Sequence, residues 1–204
     1  MAETAKPRPT VYYIRHGETE WNVTGRLQGR RDVPLNTRGR AQAMHCGDIL
    51  RELFARSGHN VSELDFVSSP LGRAKTTMEL VRAPLGLPAD GYRIDPQLVE
   101  IAFGDWEGFT IAQLHTRDPQ RIAAREHDKW HFVPPRGESY KAVSERMRRW
   151  HESLPRDTVA VAHGGTARGL IAYLGIAKPA AAPLLDIAQG VVYVFEGEKL
   201  TRYA

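Results

Sequence analysis

The sequence predicts an α/β fold on a parallel sheet, and three observations predict it. Val11-Tyr-Tyr-Ile14 is apolar or aromatic throughout, as a strand covered on both faces must be. Leu64-Asp-Phe-Val-Ser68 and Thr158-Val-Ala-Val-Ala162 read as two further strands, and a helical pattern follows each of the three. Each run also ends in residues suited to an anion: Arg15-His16-Gly17, then Ser69 to Arg73, then His163-Gly164-Gly165. Open α/β sheets place their ligand crevice at these carboxyl ends.

Composition sets the bounds. The 204 residues carry a formal charge of +4, with 42% hydrophobic and 25% charged residues, enough for one well-buried domain. The mild positive balance suits an anionic substrate and is too diffuse for nucleic acid. Its densest run, Arg146-Met-Arg-Arg149, reads as a solvated helix face. Cys46 is the single cysteine, which excludes an internal disulfide and a cysteine-based zinc site and makes a reducing, cytoplasmic compartment the expectation. Residues 1–9 are polar with no apolar signal core, so a disordered tail is expected there and a single domain over 10–204. No apolar run approaches the ~18 residues that span a bilayer, so a membrane is not an expected partner.

The elements follow in order. Gly17 to Asn36, with its glycines and Pro34, reads as a long loop of the kind that carries function. Thr37 caps a helix to about Arg56, with Met44, Leu50, Leu53 and Phe54 on its buried face and a stop at Ser57-Gly-His-Asn60. Ser69 is the expected cap, and Pro70 the first residue, of the helix that carries Arg73. Tyr92 to Asp95 is a short strand candidate. Glu100, between Val99 and Ile101, is a carboxylate available for proton transfer, whereas Asp105 and Glu107 read equally well as turn or surface groups. Thr110 to Lys129 looks helical with a break at Asp118-Pro119; its cations Arg117, Arg121, Arg125 and Lys129, with Trp130, either meet a second anionic group, as on a sugar bisphosphate or phosphoglycerate, or face solvent, and the solvated face is the preferred reading. His45, His59, His115, His127 and His131 read as structural or surface residues. Tyr140, Val143, Met147 and Trp150 form a buried helical stripe, and Leu170, Ile171 and Leu174 mark the helix after His163. Val191 to Tyr203 is a terminal hairpin whose edge offers pairing with a second copy, so a homodimer is entertained.

Two imidazoles and two guanidinia thus gather at one sheet edge. No Gly-x-x-x-x-Gly-Lys or Gly-x-Gly-x-x-Gly loop is present, which argues against nucleotide folds. Arg15-His-Gly-Glu-Thr-Glu-Trp-Asn22 with Gly25-Arg-Leu-Gln-Gly29 resembles the signature of the histidine phosphatase superfamily, the phosphoglycerate-mutase-like fold. Ser69-Pro-Leu-Gly-Arg-Ala-Lys-Thr76, Glu100 with Phe103-Gly-Asp-Trp-Glu-Gly108, Gly137-Glu-Ser139 and Val161-Ala-His-Gly164 complete the resemblance in the family's order. It implies a three-layer α/β/α sandwich on a mostly parallel sheet.

The resemblance also implies roles. His16 would be the nucleophile, carrying a phosphohistidine. Arg15, Arg73 and an imidazolium at His163 would clamp the phosphate with Asn22, Glu100 would be the general acid and base, and Gln28, Gly29 and Gly164 would line the substrate pocket. No metal or other cofactor is implied. His16 must be neutral to attack, which a backbone carbonyl on Nδ1 would favour. The stretch from Glu100 to Gly108 resembles the phosphatase branch, because mutases follow the acidic residue with an Arg-His-Tyr-Gly-like run. A phosphomonoesterase acting on a small phosphorylated molecule is therefore expected; a phosphoglycerate mutase is the alternative, and a non-catalytic phospho-ligand binder the third reading.

Overall fold

The computed structural model describes residues 8–204. Six strands form one sheet: β1 (Val11–Arg15), β2 (Asp65–Ser68), β3 (Arg93–Ile94), β4 (Thr158–Ala162), β5 (Val192–Glu196) and β6 (Lys199–Tyr203), in the order β3-β2-β4-β1-β5-β6. β4 runs parallel to both β1 and β2, β3 runs parallel to β2, and the hairpin β5–β6 adds antiparallel to β1. Helices α2 (Thr37–Ser57) and α3 (Gly72–Arg82) cover one face, packing Leu50, Phe54, Met78 and Val81 on Ile14, Phe66 and Val161. Helices α6 (Tyr140–Glu152) and α7 (Gly164–Tyr173) cover the other, packing Met147, Trp150 and Leu170 on Tyr13, Val67 and Ala160. The result is the expected three-layer sandwich. Alternate residues of β1 enter opposite cores, so the continuous apolar run is explained by burial on both sides.

Register is what builds the site. Arg15 lies opposite Ala162, and Ser68 opposite Val161. The ladder continues one residue further, with His16 N donating to Ala162 O and Ser69 N to Val161 O, both at 2.9 Å. His16, Ser69 and His163 therefore leave three adjacent strands side by side.

Several boundaries differ from expectation. The loop after β1 contains a one-turn helix, α1 (Glu20–Val23), closed by a capping box between Thr19 and Asn22. Asn36, not Thr37, caps α2 by accepting from Gly39 N. Met44 is 42% exposed and Leu53 only half-buried; Ala43, Cys46 and Gly47 take their places on the inner face of α2. Helix α3 starts at Gly72, and Ser69 is drawn away to His163. Its exposed N–H groups are met from a distance by Asp32, whose carboxylate accepts from Gly72 N at 2.6 Å and Arg73 N at 3.3 Å. Arg146 is no solvated cation: it donates to Val99 O at 2.7 Å and to Glu138, beneath the segment that carries Glu100. Helices α4 (Ile111–Arg117) and α5 (Pro119–His127) break where expected and close over a small core of Trp106, Leu114 and Ile122. Helix α5 ends at His127, so His131 does not share its face; His131 pairs with Asp128 and His115 with Glu126. The expected disordered tail lies outside the described residues except for Arg8 and Pro9, and Arg8 sits over the Tyr173 ring, 5.9 Å from its centroid. Among the described residues no helix is long and apolar enough to cross a membrane.

Met147→Ala is expected to lower stability by ~2–5 kcal/mol, and Met44→Ala by no more than ~0.5 kcal/mol. Urea unfolding checks both, and equal costs would contradict the assignment of faces.

Candidate active site

His16 is 2% exposed and His163 fully buried, with ring centroids 5.2 Å apart. His16 Nδ1 lies 2.7 Å from the carbonyl of Gly17. A carbonyl only accepts, so Nδ1 carries the proton and Nε2 keeps its lone pair. This is the tautomer that the expected attack requires. Burial, then Arg73 and Arg15 nearby, holds the His16 imidazole well below its ordinary value of 6.5. His163 is held down in the same way by burial, Arg73, His16 and Arg15. Both rings are thus pushed toward the neutral form by burial and by the guanidinia. His163 Nε2 contacts Ser69 Oγ at 2.7 Å, and its backbone is pinned at both ends by the Tyr13 hydroxyl, which donates to His163 O at 2.7 Å and accepts from His163 N at 3.0 Å.

The two guanidinia are anchored by backbone carbonyls. Arg73, 1% exposed, donates to Gly29 O at 2.8 Å and Arg31 O at 2.6 Å. Gly29 reaches that position with φ of 53°, a conformation that favours glycine. Arg15 donates to Ile187 O at 2.8 Å. Each guanidinium has five N–H groups, so these contacts leave most of them unspent. Arg15 Nε, Arg73 Nε, His163 Nδ1 and Gln28 Oε1 are buried without a hydrogen-bond partner in the protein. One cavity is lined by Arg15, His16, Arg73 and Glu100. Asn22, Gln28, Gly29 and Gly164 also lie on its wall, so every expected site residue except His163 borders it directly, and His163 packs against His16 behind the wall.

Glu100 enters from the segment after β3. Its Oε1 accepts from Ile101 N and Gly165 N, both at 2.9 Å. A Cβ at position 165 would fall 2.6 Å from Ile101 Cγ2 and closer still to Glu100 Oε1, so only glycine admits this carboxylate at the start of α7. The segment is braced by Glu138, which accepts from Ala102 N at 3.1 Å and from Arg146 at 3.2 Å. That is the part played by Gly137-Glu-Ser139, with Ser139 capping α6. Asp105 and Glu107 stay out of the cavity: Asp105 pairs with Arg136, and Glu107 accepts from Arg30 N at 3.0 Å.

Sequence reasoning missed several contributors. Gln189 donates to His16 O at 3.1 Å and Asn22 Oδ1 at 3.0 Å, fixing the Asn22 amide so that its nitrogen is free for the cavity. Nothing in the local sequence of Gln189 signals this. Asp32 and Tyr13 act likewise through tertiary contacts. Arg125 and Lys129 line the cavity together with Arg168 from α7, which overturns their reading as a solvated face; Arg117 and Arg121 do lie on the surface.

The model of the histidine phosphatase superfamily (branch 1) matches residues 11–202. The adenosylcobalamin/alpha-ribazole phosphatase of Escherichia coli is 34% identical over 177 residues, covering 84% of this chain and 81% of that one. A glucosyl-3-phosphoglycerate phosphatase of Mycobacterium tuberculosis is 35% identical over 175 residues, covering 79% and 73%. Among solved structures, the alpha-ribazole phosphatase of Shigella flexneri superposes with a TM-score of 0.76 at 31% identity, covering 91% of this chain and 89% of that one. With the family model spanning residues 11–202 and these relatives matched over most of their length, the chain belongs to the histidine phosphatase superfamily.

Proposed function

We propose that the protein hydrolyses phosphomonoesters through a phosphohistidine formed on His16, with Glu100 as general acid and base. One observation carries the reading: Arg15 Nε, Arg73 Nε and His163 Nδ1 are buried and unpaired around an imidazole whose Nδ1 is already engaged. An unpaired buried polar group costs ~1–3 kcal/mol unless something meets it. Phosphoryl transfer leaves a protein little covalent work. It spreads charge over three equatorial oxygens that fixed donors must meet. Relatives named as phosphatases support the same class of reaction.

On this reading the reaction has two steps. His16 Nε2 forms a bond to phosphorus as the ester P–O bond breaks, and the Glu100 carboxyl passes its proton to the departing oxygen. Glu100, now a carboxylate, takes a proton from a water whose oxygen bonds to phosphorus as the P–N bond to His16 Nε2 breaks, releasing inorganic phosphate and returning His16 and Glu100 to their starting states. Arg15, Arg73 and Asn22 hold the oxygens throughout, and His163, whose ring lies 5.2 Å from that of His16, adds its unpaired Nδ1 to the same buried cluster. Of the phosphate's charge, the protein must stabilise most with these donors, because a general acid contributes only ~10²–10⁴-fold.

With EDTA present, wild-type protein is expected to hydrolyse p-nitrophenyl phosphate and His16→Ala to lose the activity, with 3-phosphoglycerate isomerisation assayed beside it. Isomerisation without hydrolysis would replace this reading with a mutase. Arg73→Lys is expected to lower kcat by ~10²-fold or more, since an ammonium cannot span the Gly29 and Arg31 carbonyls and still present a planar fork; near-normal turnover would remove Arg73 from the clamp. Nitrogen NMR of the ligand-free protein is expected to show His16 and His163 neutral from about pH 8 down through 6.5, because burial and the guanidinia push both values downward. A midpoint near 6.5 for either ring would contradict the electrostatic account.

A further inference from the structure

Ser69 and His163 leave the neighbouring strands β2 and β4, and both are fully buried. The ladder holds Ser69, whose N–H donates to Val161 O at 2.9 Å, and Pro70 keeps the residue before it out of the helical region. The Tyr13 hydroxyl holds the backbone of His163 at both its N–H and its carbonyl. The 2.7 Å contact between Ser69 Oγ and His163 Nε2 is therefore set by the sheet rather than by mobile side chains.

The direction of that hydrogen bond follows from the donors and acceptors present. A hydroxyl has one proton to give. Among the described residues Ser69 Oγ has one other partner, Leu71 N at 3.4 Å, and an N–H only donates. The hydroxyl proton thus has His163 Nε2 as its acceptor. An accepting nitrogen carries no proton, so in the neutral ring the proton sits on Nδ1. That nitrogen is buried without a partner in the protein, in a ring that packs on His16 and feels the charges of Arg73 and Arg15. The opposite tautomer would strand the Ser69 proton and leave a lone pair on Nδ1, which repels phosphate oxygens.

His16 also carries its proton on Nδ1, but spends it on Gly17 O at 2.7 Å. One tautomer therefore leaves a lone pair unspent on His16 and an N–H unspent on His163. The difference arises because the rings are gripped at opposite nitrogens, His16 at Nδ1 and His163 at Nε2.

We infer that Ser69 is a positioning residue: by donating to His163 Nε2 it fixes the proton on Nδ1 and keeps that N–H for the phosphate oxygens. The inference rests on the reading above for what the buried cluster binds. A second proton arriving at Nε2 would turn the hydroxyl round but leave the Nδ1–H in place.

Nitrogen NMR of histidine-labelled protein reads the tautomer without turnover, with the His163 signals assigned by their loss in His163→Gln. At about pH 8, where an ordinary imidazole is neutral, wild-type His163 is expected to show a protonated Nδ1 and an unprotonated Nε2. In Ser69→Ala an Nε2–H form is expected to appear, and kcat/KM for p-nitrophenyl phosphate to fall about tenfold or more, as for one lost charge-assisted hydrogen bond. A serine that merely supports the fold would change the rate without moving the tautomer. A wild-type proton on Nε2 overturns the inference at any level of turnover, and so does a Ser69→Ala protein that keeps either the wild-type tautomer or the wild-type rate. Should Ser69→Ala unfold, Ser69→Cys, similar in size but a weaker donor, is read in the same way. If the wild type hydrolyses no ester, affinity for inorganic phosphate replaces the rate. The same loss of affinity together with the tautomer change then retains the role of Ser69 and overturns the hydrolase reading, whereas undiminished affinity overturns the role of Ser69.

Discussion

The site must hold two guanidinia and two imidazoles together in a buried space, and much of the surrounding structure is a response to their repulsion. Two like charges ~5 Å apart repel by about 3 kcal/mol at an effective dielectric of ~20. The imidazoles are pushed toward the neutral form. The guanidinia cannot be, so they are tied down by carbonyls of Gly29, Arg31 and Ile187. Neutral His16 and His163 carry a consequence for stability. Their folded values lie below 6.5, so the stability they support is fully present above 6.5 and is lost as pH falls toward the folded values, where the unfolded chain takes up protons that the buried rings refuse.

Holding these groups requires distant segments to meet. Asp32 supplies α3 with the cap that Ser69 gives up, and at the same time draws the loop of Gly29 and Arg31 onto Arg73. Arg146 and Glu138 do the equivalent for Glu100 from α6. Gln189 links the segment before β5 to Asn22 and to the backbone of His16. The cluster is thus an agreement among six or so chain segments. Its precision comes from carbonyls and carboxylates that never touch the cavity, as pre-organised electrostatic sites require.

The parts legible in the sequence are those in which local chemistry and tertiary position coincide. Thr158 to Ala162 is apolar because both its faces are covered, and the same burial made it recognisable. Arg15, His16, Arg73, Glu100 and His163 stood out by their place after such runs and by resemblance. What escaped was set by contacts between segments. Ser69 has the composition of a helix cap, but His163 competes for its hydroxyl and wins. Met44 falls in phase with Leu50 and Phe54 only loosely, and the tight packing of Gly47 against Val81 and Pro84 decides which side of α2 is inward. Arg125 and Lys129 look like any cations on a polar helix until α7 brings Arg168 beside them. Periodicity cannot report a neighbour that arrives from forty residues away.

The downward push on the His163 imidazole and the cationic donor implied by the family resemblance are two sides of one electrostatic balance. That imidazole is held down by burial and by the positive charge of Arg73 and Arg15. On the proposed reading a phosphate dianion enters between those same guanidinia and cancels the repulsive part of that effect. Proton uptake at His163 then becomes favourable in proportion to the negative charge that arrives. On that reading His16 differs in one respect: its Nδ1 is committed to Gly17 O, and the proposed bond from Nε2 to phosphorus would occupy the position a proton would take. On the proposed reading, two imidazoles of similar burial are given opposite tasks by what one nitrogen of each touches, a carbonyl in one case and the Ser69 hydroxyl in the other.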